Sequence, residues 1–269
     1  MSASRNKTQG HKAGGRDSDN ARYAALSVLR AVLFRGRSLA TAKSLIYDTL
    51  EDPRERSLAM ELVNGVLRWR FRLEGLLTKL VNRPLRKKDH DVQLVLLIAL
   101  YELEELSTPD YAVLNEAVAQ TRRIGKKWAA GMVNAVLRRF TRETEALSLA
   151  VDEDSVARFS HPQWLIDLLK QDWPEQAEQI LAANNQRPPM WLRVNMARIS
   201  VEDYIKRLEA QQIKAVRHAT AQAALKLDTP TDVSRLPGFN QGMVSVQDAA
   251  AQLAAGLLAA RENERVLDL

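Results

Sequence analysis

The sequence predicts a mainly α-helical protein. A helical bundle spans residues 20–142, a helical linker 143–185 and a small α+β unit 186–240; residues 241–269 begin a further domain. Three observations carry this reading. From Asn20 to about Thr141 apolar residues recur at helical spacing behind repeated capping residues. After Met190 the period changes to the alternation of strands. The chain closes on Val266 to Leu269, a short apolar run of the kind that forms the first buried strand of a parallel α/β sheet.

Taken in order, residues 1–19 are polar and almost free of apolar side chains, which makes them a flexible basic arm rather than part of a core. Asp19 or Asn20 caps a helix that carries Leu26, Leu29 and Leu33 and closes at Gly36. Ser38 caps the next, with Leu45 and Ile46 inward. Asp52-Pro53-Arg54-Glu55 is the sharpest start signal: a capping carboxylate, a proline at the first helical position, and an acid three residues after the cap. Leu58, Leu62, Val66 and Leu67 continue that stripe. Pro84 breaks the pattern, Asp91 restarts it with Leu94, Leu97, Ile98 and Tyr101, and Pro109-Asp110 opens a helix that ends near Gly125. Trp128 to Phe140 completes a bundle of about seven helices. A helical connector covers Pro162 to Ala183. Met190 to Asn195 then alternates as a strand, and Ser200 opens a helix through Ile205 and Leu208. Ile213 to Val216, Ala223 to Leu227 and Met243 to Val246 read as strands, and Asp248 caps a helix over the Ala/Leu run.

Composition narrows the function. The chain has 269 residues, 46% of them hydrophobic, and no cysteine, which excludes a disulfide scaffold, a Cys zinc site and a Cys nucleophile within these residues and fits a cytoplasmic protein. The longest apolar stretch, Val92 to Leu100, is interrupted by Gln93 and falls far short of the ~18 residues of a membrane span. Net charge is +6, but residues 1–145 hold 26 basic and 17 acidic side chains while the remainder hold 13 and 16. A basic first half points to a polyanionic partner, nucleic acid before membrane, because no basic amphipathic lipid anchor is evident.

Motifs sharpen this. Tyr111-Ala112-Val113-Leu114-Asn115-Glu116-Ala117-Val118, followed by Gly131-Met132-Val133-Asn134-Ala135-Val136-Leu137-Arg138-Arg139, resembles the paired helical signature of NusB-type RNA-binding domains. Ser160-His161-Pro162-Gln163-Trp164-Leu165, Asn184-Asn185-Gln186-Arg187-Pro188-Pro189 and Leu192-Arg193-Val194-Asn195 resemble the linker and first strand of bacterial RsmB (Fmu/Sun) ribosomal RNA methyltransferases. Gly242-Met243-Val244-Ser245-Val246-Gln247-Asp248 with Gln252, and the closing Val266-Leu267-Asp268-Leu269, are similar to the same family where it leads into its cofactor-binding loop. The resemblance implies a cytosine carbon-5 methyltransferase acting on small-subunit (16S) rRNA with S-adenosylmethionine as donor. It makes Val266 to Leu269 the first strand of an incomplete Rossmann-like domain. In that family a Gly-rich loop and two cysteines come later, one of them the thiolate that adds to the ring so that carbon 5 can accept the methyl group. None lies in these residues, so the chain is expected to be truncated before the catalytic core, inactive, and without bound cofactor. Ala250 and Ala251 stand where the family usually shows one serine.

The competing reading is a non-enzymatic NusB-type module acting in antitermination and hence in regulation of transcription; a non-functional gene fragment is a third. The linker, Gln247-Asp248 and Val266 to Leu269 favour the first. No catalytic or metal-binding residue is assigned: His161 has no ligand-spaced neighbour and reads as turn chemistry. Arg122, Arg123, Lys126 and Lys127, bracketing Gly125 at a helix end, together with Arg138 and Arg139, are the candidate RNA contacts, although cations there also suit the helix dipole. Arg83, Arg86, Lys87 and Lys88 read as a solvated loop, Asn115, Glu116 and Asn134 as packing polar groups, and Trp69, Trp128 and Trp164 as core. Gln247 and Asp248 are the cofactor-adjacent candidates, with Asp248 equally explained as a cap. The expected partner is small-subunit rRNA, with no membrane and a monomeric chain.

Overall fold

Asn20 stands in an extended conformation and its side chain accepts hydrogen bonds from the backbone N–H of Arg22 and Tyr23, which starts α1 (Ala21–Arg35). The computed structural model describes residues 20–267; the arm at 1–19, with Asp19, lies outside them. Gly36 closes α1 at φ 64°, a left-handed conformation that glycine adopts without a Cβ penalty. Ser38 caps α2 (Leu39–Ala42), which breaks at Lys43 into α3 (Ser44–Thr49), so two short helices stand where the pattern suggested one. Asp52 accepts from the Arg54 amide at 2.8 Å and Pro53 occupies the first turn of α4 (Pro53–Arg68). Glu55 does not reach back to its own cap. Its Oε2 accepts from the Ala21 amide at 2.8 Å, so an acid of α4 satisfies a free N–H of α1 against which it packs.

Trp69 separates α4 from α5 (Arg70–Leu80), and a 3-10 turn at Lys87–Asp89 leads directly into α6 (His90–Glu105). α6 is buried from Val92 through Glu102 save Gln93 and packs against α1, α4, α5, α7 (Asp110–Arg123) and α8 (Ala130–Asp152). The most apolar run in the sequence is therefore the axis of the bundle, and no described helix is long and apolar enough to cross a membrane. Gly65 of α4 lies beneath the Tyr101 ring, where an added Cβ would overlap it, and the Tyr101 hydroxyl donates to Glu61 at 2.6 Å. α8 continues past residue 142, bending at Glu143, whose φ of -119° and ψ of 19° are not helical. Three further helices, α9 (Ser155–Phe159), α10 (Gln163–Asp172) and α11 (Ala177–Asn184), complete the first of two compact units, which divide between Asn185 and Gln186.

The second unit holds β1 (Trp191–Val194), α12 (Val201–Ala210), β2 (Ala215–Arg217), β3 (Ala224–Leu227), β4 (Val244–Val246) and α13 (Ala249–Leu258). Its sheet is antiparallel in the order β2-β3-β1-β4, with Leu192 opposite both Leu225 and Val246. Ser200 caps α12 through the Asp203 amide at 3.1 Å, and Val201, Tyr204 and Leu208 pack with Leu192, Val194, Leu225 and Leu227 in one core. Two sequence expectations differ here. β4, placed by pattern at the start of a further domain, is hydrogen-bonded to β1 in the same sheet, because Val244 supplies the apolar partner that Val194 needs. Val266 and Leu267, expected in a buried strand, have no regular structure and are 56% and 78% exposed; Asp268 and Leu269 lie outside the described residues.

Candidate nucleic-acid interface

The end of α7 determines the geometry. Gly125 turns the chain at φ 73° and lets the Lys126 amide reach the Thr121 carbonyl at 2.7 Å, after which a 3-10 turn, Lys127–Ala129, leads into α8. Lys126 then faces the earlier basic loop: its Nζ lies 2.9 Å from Asp89 Oδ1 and 3.2 Å from the Lys88 carbonyl oxygen. The Lys126 hydrogen bond holds the Asp89 carboxyl below the usual carboxylate range despite the cost of burial. This pair ties the 84–89 loop to the α7–α8 turn. Between them opens a pocket of about 480 Å³ lined by Pro84, Leu85, Arg86, Lys88, Asp89, Lys126 and Trp128.

The six candidate cations divide by environment. Arg122, Lys127 and Arg138 are exposed and form no ion pair among the described residues; Arg138 only meets Asn134, at 3.3 Å. Arg123 is paired with Glu116 at 3.1 Å. Lys126 is paired with Asp89. Arg139 is paired with Glu143 at 2.9 Å and donates to the carbonyls of Lys79 and Leu80, where it caps the C-terminus of α5. Arg138 and Arg139 lie about 12 Å along α8 from its first residue, at 1.5 Å per residue, and so extend the basic surface rather than line the pocket.

Sequence reasoning missed part of this arrangement. Trp128 and Trp164, read as core, are 60% and 67% exposed; only Trp69 packs against the bundle core. The 3-10 turn takes Trp128 out of phase with the buried stripe of α8, Val133, Val136, Leu137 and Phe140. Arg86 and Lys88, which read from sequence as a solvated loop, share the pocket with Lys126; a meeting across 38 positions leaves no local signal. Asn115 is exposed, and Glu116 accepts from both Asn20 and Arg123.

In the second unit, Asp248 caps α13 by accepting from the Ala250 amide at 2.8 Å. Gln247 accepts from Arg193 at 3.2 Å, and its carbonyl accepts from Gln252 at 3.0 Å. His161 is a turn residue, with Nδ1 2.6 Å from the Phe159 carbonyl oxygen, and no three His, Cys, Asp or Glu side chains among the described residues could hold a metal.

Comparison with known proteins places these features. Residues 19–142 match the NusB family, and residues 161–234 match the Methyltr_RsmF/B-like, ferredoxin-like domain. Ribosomal RNA small subunit methyltransferase B of Pseudomonas syringae pv. tomato is 42% identical over 249 residues, 93% of this chain and 55% of that protein. The chain is a homologue of ribosomal RNA small subunit methyltransferase B. The protein of that name from Vibrio cholerae serotype O1 is 41% identical over 93% of this chain and 57% of its own length. A Coxiella burnetii protein described as a probable ribosomal RNA small subunit methyltransferase B is 41% identical over 80% of this chain and 50% of its own. The chain thus spans about half the length of the methyltransferase B relatives it matches. The crystal structure of PH0851 shares the fold, with a TM-score of 0.62 at 17% identity over 88% of this chain and 55% of that one.

The donor that such methyltransferases use, S-adenosylmethionine, carries a sulfonium cation. The large cleft of the second unit, about 1050 Å³, has Arg193 as its one charged lining side chain and no carboxylate. Gln247 and Asp248 do not line it, being used in the sheet edge and the α13 cap. The lining of that cleft offers no anionic partner for the sulfonium.

Proposed function

We propose that this chain is the RNA-binding and linker portion of a methyltransferase B-type enzyme that modifies cytosine carbon 5 in small-subunit rRNA. In this reading residues 20–142 are the RNA-binding domain, 143–185 the linker and 186–240 together with β4 the α+β subdomain, and the residues after β4 lead into a Rossmann-like methyltransferase domain. The observation that carries it is the open cationic surface on the NusB-type bundle: Arg86, Lys88, Arg122, Lys127 and Arg138 face solvent and form no ion pair among the described residues, on the half of the sequence that is basic by nine charges. Phosphates are the natural counterpart of such a surface. With no cysteine, these residues hold no thiolate to attack a cytosine ring, so methyl transfer falls to the whole enzyme rather than to this stretch.

Fluorescence anisotropy with a fragment of small-subunit rRNA tests this. The expected result is binding that weakens steeply with salt. No binding at low salt, or binding indifferent to salt, overturns it.

A further inference from the structure

We propose that the pocket between the 84–89 loop and the α7–α8 turn holds one unpaired nucleotide of a bound RNA, its base stacked on the Trp128 indole and its phosphate against Arg86 and Lys88. This rests on the reading of the first unit as an RNA-binding domain and names the form of RNA it takes.

Three features converge. Trp128 is 60% exposed although burying an indole would be favourable, so its exposure is unexplained by packing. The pocket it lines, about 480 Å³, falls in the size range of single small-ligand sites, about 300–1,000 Å³. Its rim carries three cations and one acid: Arg86 and Lys88 form no ion pair among the described residues, while Asp89 is hydrogen-bonded by Lys126. An aromatic face beside phosphate-binding cations is the combination by which proteins hold unstacked bases. A duplex offers phosphates but keeps its base faces inside the stack, so it would use the cations and leave Trp128 idle.

Trp164 supplies the contrast. It too is exposed, but it shares its helix face with exposed Leu168 four residues on. An aromatic among apolar neighbours suits a protein surface; one among cations suits a nucleotide.

The test uses the full chain, with a twelve-nucleotide single-stranded RNA, the same sequence in a perfect duplex, and a nucleoside monophosphate. Binding is read by anisotropy and by quenching of tryptophan fluorescence. Trp128→Ala is expected to weaken single-strand binding about 5- to 150-fold, the effect of removing one stacked base, and to leave duplex binding unchanged. Trp128→Phe, which keeps a stacking face, should restore most of the affinity while abolishing the quench, and Trp164→Ala should behave as wild type. Circular dichroism confirms the fold of each variant. Equal weakening on single strand and duplex, or none on either, overturns the stacked-nucleotide site while leaving RNA binding intact. A monophosphate that competes as tightly as the strand overturns the RNA assignment of the pocket in favour of a free nucleotide. Absence of binding to any RNA overturns the underlying reading as well.

Discussion

Replacing Arg122, Lys127 and Arg138 together by glutamine should alter the salt dependence of RNA binding far more than the stability of the protein. All three are exposed and form no ion pair among the described residues, so the fold depends little on their charge. Each phosphate that a cation no longer neutralises lowers the slope of log K against log salt by about 0.7 on single strands, so three substitutions lower it by about 2 units. Over a fourfold rise in salt, from about 50 to 200 mM, the wild-type chain then weakens about 16-fold more than the triple variant. The matched control is Arg123→Gln with Arg139→Gln. These side chains are committed to Glu116, to Glu143 and to the last carbonyls of α5. Partly exposed pairs of this kind contribute about 0–1 kcal/mol each, and the α5 cap a similar amount, so the control should lower the melting temperature by a few degrees with a smaller change in slope. Anisotropy titrations at four salt concentrations, beside thermal melts, give both quantities. A control that flattens the slope as much as the triple variant, or a triple variant with an unchanged slope, refutes the division of the six cations into open and committed sets.

Other consequences are equally direct. Gly65→Ala should destabilise the first unit by about 1–3 kcal/mol or more in chemical denaturation, because its methyl overlaps the Tyr101 ring in the bundle interior; an unchanged midpoint contradicts that packing. Since Lys126 depresses the folded Asp89 carboxyl below its ordinary value, the stability that pair contributes is present above pH ~4 and disappears as pH falls through the depressed value. Asp89→Asn should therefore flatten the acid limb of the melting profile, and an unaltered limb argues against the pair. Isothermal titration of the chain with S-adenosylmethionine should show no saturable binding at micromolar concentrations; a saturable isotherm overturns the assignment of the cofactor to residues beyond this stretch.

What the sequence disclosed and what it hid follow from the range of the interactions. Caps are local: Asn20, Ser38, Asp52, Ser200 and Asp248 each bond to an amide two or three residues on, and each is legible as a start signal. The central position of α6 follows from its near-continuous apolar run. Glu55 shows the limit, since its spacing announces a capping box while its carboxylate bonds Ala21, 34 residues away. The same holds for the site. The cations near Gly125 are visible as a cluster, but their separation into open and paired members depends on Asp89, Glu116 and Glu143, and the pocket depends on Pro84–Asp89 meeting Lys126–Trp128 across the fold. Trp128 escapes a periodicity argument because the helical repeat does not run through the 3-10 turn on which it sits.

The central claim is that RNA lies on the first unit, over the 84–89 loop and the start of α8. Ultraviolet cross-linking of the full chain to a small-subunit rRNA fragment, followed by mass spectrometry of the cross-linked peptides, tests it most directly. The account predicts adducts in peptides spanning Arg83 to His90 and Lys126 to Arg139, with Trp128 among the modified residues. Adducts confined to residues 186–267 would contradict it.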